Sequence, residues 1–254
     1  LYGVFHPSTG LPRRNISVLL CNPFGQEAVR TNRLYRMLAE RLATKGYDIL
    51  RFDYFATGES AGQDDQGDLD RWREDIVEAH RELARRSRTR RQVWLGARLG
   101  ATLALLSSGQ AEHAPELLIL WDPVVDGGSY LRELDLGHAR QIRSSFSIVP
   151  AGLTTARQRE ALGFATSESF EAQLASLCLE RLASTRTRQV RLLAPVTDEP
   201  SHALVQQLGS TGVDCRLDEF DHAFDWVSEE ALNTALVPAE ALQRLLALVE
   251  EPAA

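Results

Sequence analysis

The sequence predicts an α/β fold in which a mostly parallel central sheet is flanked by helices on both faces. Two observations lead to this prediction. Short, continuous apolar segments alternate along the chain with longer segments of helical periodicity, and parallel strands need crossover connections of that length. The apolar segments also lack the polar alternation of strands with one solvated face, as expected for strands that are buried on both faces.

The elements follow one another in a regular order. Strands are predicted over 16–21, 47–54, 92–95, 117–121, 189–194 and 213–217, because these runs are short, apolar and bounded by turn residues such as Asn22-Pro23. Helices are predicted over 31–44, 68–86, 101–108 and 238–250 from their apolar spacing, with Gly46 as the stop signal of the first. The second helix places five side chains on one face: Leu69, Trp72, Ile76, His80 and Leu83.

The alternation of strands and helices fails between residues 127 and 187, where a polar, helix-prone stretch intervenes. Its position predicts a helical lid inserted over the C-terminal edge of the sheet. The domain assignment is therefore a core formed by residues 1–127 and 188–254, with a lid or cap formed by residues 128–187.

Composition limits the classes of partner. The 254 residues carry a net charge of -7, which disfavours the basic surface that nucleic-acid binding requires. No apolar run approaches the ~20 residues that cross a bilayer. The three cysteines are too few and too scattered for a disulfide framework, so we expect a reduced, cytoplasmic protein. The histidines show no metal-ligand spacing, and no glycine-rich phosphate loop is present, so neither a metal nor a cofactor is predicted.

Ligands of open α/β sheets bind outside the carboxyl ends of the strands, so the residues that follow each strand are the candidates for a site. Arg98 follows the third predicted strand and opens a helix, within Gly96-Ala97-Arg98-Leu99-Gly100. The other candidates after strand ends are Asn22, Phe24, Asp122, Asp198 and His222.

The segment 96–100 resembles the G-x-S-x-G nucleophile elbow of the α/β-hydrolase superfamily. Residues 51–60 resemble the D-x-x-G-x-G-x-S loop that precedes this elbow, and Asn22-Pro23-Phe24-Gly25 lies where the family carries its oxyanion segment. The similarity is greatest to serine-aminopeptidase-like (S33-type) acyl hydrolases. It implies an acyl, ester or amide substrate, with Asp198 and His222 at the positions of the triad acid and histidine.

The sequence departs from the family at the central elbow position, which holds Arg98 instead of serine. A guanidinium stays protonated and is no nucleophile. Arg98 is expected either to clamp an anionic ligand, with His222 as a general base, or to form an ion pair with Asp198 or Asp122 that plugs an empty site. In the first arrangement, backbone N–H groups near Phe24 and Leu99 would stabilise an oxyanion.

Several alternatives stay open. Asp122 competes with Asp198 as the partner of His222, and Asp198 is favoured. Cys21 is expected to be a buried, inert thiol. A replacement nucleophile from the insertion would be Ser144, Ser145 or Ser147. The chain is thus either a hydrolase-like enzyme without an elbow serine, acting on or binding an acyl or anionic small molecule, or an inactive pseudo-hydrolase that serves as a binding or assembly module. A homo-oligomer is compatible with both.

Overall fold

The computed structural model describes residues 1–144, 160–222, 226 and 238–251. Its strands are β1 (Tyr2–His6), β2 (Ser17–Cys21), β3 (Asp48–Asp53), β4 (Gln92–Ala97), β5 (Leu117–Trp121), β6 (Glu160–Ala161), β7 (Phe164–Ala165), β8 (Gln189–Ala194) and β9 (Asp214–Glu219). Its helices are α1 (Gly25–Thr44), α2 (Leu69–Ser87), α3 (Leu99–Ser108), α4 (Gly127–Ser144), α5 (Glu168–Ala175), α6 (Glu199–Ser210) and α7 (Ala239–Glu250). Short 3₁₀ turns cover Asp64–Gln66 and Leu179–Leu182.

Seven strands form one sheet in the order β1-β3-β2-β4-β5-β8-β9. All neighbouring pairs are parallel except β1 and β3, which pair antiparallel. The mostly parallel sheet predicted from the sequence is therefore confirmed. Strands β2, β4 and β5 are buried along their whole length, which explains their continuous apolar runs. Strand β1 was not predicted, because it is a partly exposed edge strand without such a run.

Helices cover both faces of the sheet. On one face, the apolar sides of α2, α3 and α6 pack against the strands, and the predicted face of α2 is buried. On the other face, α1 and α7 pack together, with Leu38 and Leu245 among their fully buried residues. This amphipathic pattern is the reason these segments form helices on the sheet.

Between β5 and β8 the chain forms α4, the β6–β7 hairpin and α5. This segment packs on the core through aromatic rings. The ring of Phe170 lies 5.1 Å from that of Phe24 and 5.1 Å from that of Trp72, measured between centroids. Within the described residues, no helix has both the length and the apolar character that a membrane crossing requires.

Candidate functional site

The turn between β4 and α3 has the backbone of a sharp strand-to-helix elbow. Arg98 stands between the two elements with φ 51° and ψ −127°, a conformation that costs a non-glycine residue on the order of 1–3 kcal/mol. Its N–H donates to the carbonyl oxygen of Trp121 at 2.8 Å, which ties the turn to the end of β5. The side chain of Arg98 is therefore held above the carboxyl edge of the sheet.

Two glycines permit this turn. A Cβ on Gly96 would lie 2.6 Å from the backbone nitrogen of Ala101, and a Cβ on Gly100 would lie 2.2 Å from the carbonyl oxygen of Asn22. Strand and helix can approach this closely only where no side chain intervenes. The glycines that suggested an elbow from the sequence are thus required by its packing.

The guanidinium of Arg98 is held by two carboxylates of the protein. Its Nε donates to Oε1 of Glu27 at 3.0 Å, and its Nη2 donates to a carboxylate oxygen of Glu133. Tyr130 donates its hydroxyl to Oε2 of Glu27 at 3.0 Å. The predicted ion pair of Arg98 with Asp198 or Asp122 is therefore wrong. Helices α1 and α4 instead supply Glu27 and Glu133 as the partners of the guanidinium.

This cluster is buried, with the side chains of Arg98 and Glu27 only 12% and 1% exposed. Burial raises the pKa of the Glu27 carboxyl, although the charge of Arg98 and its hydrogen bond oppose the rise. Burial by itself would lower the pKa of Arg98, but the charges of Glu27 and Glu133 outweigh it and raise that pKa. Arg98 therefore stays a cation whose charge is compensated inside the protein.

His222 contacts Asp122 and not Asp198, which the sequence had favoured. Its Nε2 lies 2.7 Å from Oδ2 of Asp122, which also accepts a 2.8 Å hydrogen bond from the indole Nε1 of Trp226. Asp122 follows β5 directly, so its carboxylate reaches the ring. In a Ser-His-Asp triad, Nδ1 contacts the acid and Nε2 takes the serine proton. Here Nε2 contacts the acid.

Asp198 lies at the start of α6, where its side chain makes no capping hydrogen bond. It lines a cleft of about 470 Å³ together with Arg98, Asp122 and His222. Four of the predicted site residues therefore surround one cavity, as the sequence implied for residues at strand ends.

The remaining predicted residues lie elsewhere. Asn22 donates its amide to the carbonyl oxygen of Phe52 at 2.8 Å, and Phe24 packs in the aromatic cluster with Trp72. Both line a second cavity of about 370 Å³ that does not include Arg98. Leu99 is fully buried as the first residue of α3.

No alternative nucleophile stands at the elbow within the described part of the chain. Cys21 is fully buried, as expected, and burial raises the pKa of its thiol. Thr102 donates its hydroxyl to the carbonyl oxygen of Val124 at 2.8 Å. Ser145 and Ser147 lie outside the described residues, as does the side chain of Ser144.

Sequence reasoning missed two residues of this site, Glu133 and Trp226, whereas Tyr130 is one of the lid side chains that the sequence places in a pocket next to Arg98. Tyr130 and Glu133 lie one turn apart on α4, within the insertion, and Trp226 follows His222 by four residues. Trp226 has its ring centroid 5.7 Å from the Arg98 guanidinium carbon, and Tyr130 has its centroid 5.4 Å away. The one available signal for Glu133 was its i, i+3 spacing from Tyr130, and side-chain pairs with this spacing are common on helices.

No family model matches the sequence, and neither does any curated protein. Solved structures do resemble the fold. Est1E from Butyrivibrio proteoclasticus, solved with ferulic acid, has a TM-score of 0.60 at 13% identity, covering 97% of this chain and 94% of its own. Alpha/beta hydrolase domain-containing protein 10 from mouse has a TM-score of 0.57 at 17% identity, with 98% and 93% covered.

A proline iminopeptidase from Mycobacterium smegmatis is similar to the same extent. Its TM-score is 0.58 at 13% identity, and the likeness covers 98% of this chain and 94% of that chain. Identities this low show a shared fold only. The chemistry of the site has to be argued from its own residues. On sheet order, elbow geometry and these likenesses, the chain has the α/β-hydrolase fold.

Proposed function

We propose that this chain is a catalytically inactive α/β-hydrolase-fold protein that serves as a small-molecule binding module. One observation carries the proposal: the elbow position holds Arg98, and its guanidinium is hydrogen-bonded to the buried carboxylate of Glu27. A serine mechanism needs a hydroxyl at that position, with open space beside it for the scissile carbonyl. Arg98 supplies no such hydroxyl, and Glu27 and Glu133 hold its guanidinium in place.

The same cluster argues against the anion clamp expected from the sequence. A guanidinium binds a ligand carboxylate bidentately only when its donors are available. In Arg98 two of the five N–H donors, one on Nε and one on Nη2, already bind Glu27 and Glu133, and the charges of these carboxylates compensate that of the guanidinium. An anionic ligand would also meet the negative charges of Asp122 and Asp198 in the same cleft.

A second candidate, a hydrolase-like enzyme in which His222 acts as a general base on water, is favoured by the hydrogen bond between His222 and Asp122. The two candidates differ in whether the protein hydrolyses a substrate. The resemblance to S33-type acyl hydrolases supports descent from an active enzyme in either case.

Two further features belong to the proposal. Residues 128–187 would act as a lid, since Tyr130 and Glu133 of this segment bind the elbow cluster. A reducing, cytoplasmic location is supported by three unpaired cysteines: Cys21, Cys178 and Cys215.

The test compares wild type with Arg98→Ser/Glu27→Gln by fluorophosphonate labelling and p-nitrophenyl ester hydrolysis. Glu27 is changed together with Arg98 because removal of one partner of a buried ion pair strands the other charge, at a cost of about 3–5 kcal/mol. We expect wild type to be unlabelled and inert. Arg98→Ala/Glu27→Gln is the matched control, with the same charge but no hydroxyl.

Labelling of Arg98→Ser/Glu27→Gln, lost on adding His222→Ala, would support an otherwise intact scaffold that lacks only its nucleophile. Ester hydrolysis by wild type that disappears in His222→Ala would overturn the proposal and favour the general-base enzyme. Hydrolysis or labelling of wild type that survives in His222→Ala would overturn it as well, and would direct the search to another nucleophile.

A further inference from the structure

The cleft above the elbow is acidic, although an arginine stands at its base. Among the described residues, its lining includes four carboxylates, from Asp122, Asp126, Glu133 and Asp198, and one guanidinium, that of Arg98. Glu27 and Glu133 compensate that guanidinium. Asp126 also lies 4.0 Å from Nη2 of the exposed Arg132. A low-dielectric cleft lined by one sign of charge concentrates ligands of the opposite sign.

Two carboxylates of the cleft have acceptor atoms without a hydrogen-bond partner among the described residues. Oδ1 of Asp122 is buried and has no hydrogen-bond partner, in a residue that is only 7% exposed. The half-buried carboxylate of Asp198 does not cap α6. Buried polar atoms without partners are rare in native proteins, because each one costs the desolvation of that group. An unpaired carboxylate oxygen beside a cleft points to a missing donor.

The arrangement fits an organic cation better than a metal ion. Within the described residues, no three His, Cys, Asp or Glu side chains come together closely enough to hold a metal. A primary ammonium carries three donors on one small charge and can reach separate acceptors. Apolar residues line the cleft together with the carboxylates, among them Val124, Val125, Pro195 and Pro200.

We propose that this cleft binds a small organic amine, with its ammonium between Asp122 and Asp198 and its apolar body against the Val124–Val125 wall. The inference rests on the proposed function, since it assigns the ligand class of the same binding module. The proposed ligand is a cation, whereas Arg98 suggested an anionic ligand from the sequence. The reason is that Glu27 and Glu133, remote from Arg98 in the chain, cancel its charge.

The test uses three probes with one chain length and different head groups: hexylamine, hexanol and hexanoate. Each is titrated into the full chain by calorimetry at matched ionic strength and neutral pH, to about 10 mM, so that a Kd near 1 mM is measurable. We expect hexylamine to bind at least about tenfold more tightly than hexanol, with no binding of hexanoate. Magnesium chloride serves as the metal arm and is expected to give no heat beyond dilution.

The variant Asp198→Asn should weaken hexylamine binding about tenfold, and Asp198→Lys should abolish it. Asp70→Asn, which removes an exposed carboxylate of α2 paired with Arg73, is the matched control and should leave the affinity unchanged. Equal affinity for hexanol and hexylamine, preference for hexanoate, absence of hexylamine binding or insensitivity to Asp198→Asn would each overturn the inference. An inert wild type that fails to bind hexylamine leaves the proposed inactivity standing, whereas a labelled wild type removes it regardless of amine binding.

Discussion

Arg98 illustrates how a charged side chain is accommodated in the position of a small nucleophile. Its burial would be costly without partners, because an ion removed from water loses several kcal/mol of hydration. Glu27 lies on α1 and Glu133 on α4, and each supplies one charged acceptor. Tyr130 gives Glu27 a further donor. Such a cluster specifies one arrangement of α1, the elbow and α4, because every member depends on the others.

His80 provides a test of pH dependence at the scale of one residue. It is buried on α2, and its Nδ1 lies 2.8 Å from Oε1 of Gln92. Burial lowers the pKa of the imidazole below its usual 6.5. The stability that the neutral ring contributes is therefore complete above pH 6.5 and is lost as the pH falls through the lowered folded value. We expect wild type to lose about 1 kcal/mol more unfolding free energy than His80→Phe on going from about pH 7.5 to about pH 5.5.

Urea unfolding of both proteins at the two pH values measures this difference, and all other titrating groups cancel in the comparison. Equal losses in wild type and His80→Phe would show that the ring is not held neutral by its burial.

At the residue scale the sequence predicted four of the side chains that line the cleft, but not which of them form hydrogen bonds with one another. Arg98, Asp122, Asp198 and His222 all follow strands, and the edge of a parallel sheet brings such positions together. The choice of Asp122 over Asp198 depends on the exact placement of the His222 ring, which strand order does not determine. Glu133 was missed because it comes from a helix in the insertion, whose docking angle has no signal in a single sequence.

At the scale of elements, the close approach of α3 to β2 predicts a sharp contrast between two glycines. Gly100→Ala would place a Cβ 2.2 Å from the carbonyl oxygen of Asn22, whereas Gly109→Ala at the end of α3 has nothing within 4 Å. We expect Gly100→Ala to lower the unfolding free energy by about 1–3 kcal/mol through backbone displacement. Gly109→Ala should change it by less than about 1 kcal/mol.

Thermal and urea unfolding of the two variants test this contrast. A Gly100→Ala protein as stable as wild type would mean that the helix can move away from β2 without loss, contrary to the packing described for the elbow.

The elements that could be predicted are those in which burial dictates the pattern. Strands β5 and β8 agree with the predicted limits, and α7 agrees to within one residue. Helix α1 begins at Gly25, six residues before the predicted start, because residues 25–30 lack regular apolar spacing. Strand β1 depends on antiparallel pairing with β3, a contact across more than forty residues that local periodicity does not report.

At the scale of the whole molecule, the aromatic cluster predicts that the segment between β5 and β8 unfolds together with the core. Phe170 is 1% exposed and contacts Phe24 and Trp72. Replacement by alanine should lower the unfolding free energy by about 3–5 kcal/mol, in line with loss of a buried aromatic ring. Leu136→Ala is the control, since Leu136 is 56% exposed on α4.

Coincident urea transitions by circular dichroism and tryptophan fluorescence in wild type would show a single cooperative unit. Separate transitions, or a Phe170→Ala protein with unchanged stability, would mean that the segment folds independently of the sheet.

The elbow has a consequence for protein engineering. Its left-handed residue is held by the hydrogen bond to Trp121 and by the glycines at positions 96 and 100, none of which involves the side chain at position 98. The backbone shape is thus separable from the chemistry displayed on it. If Glu27 is replaced by glutamine at the same time, position 98 can be substituted by residues with hydroxyl, thiol or imidazole side chains. Two substitutions would then present a new reactive group on an unchanged backbone.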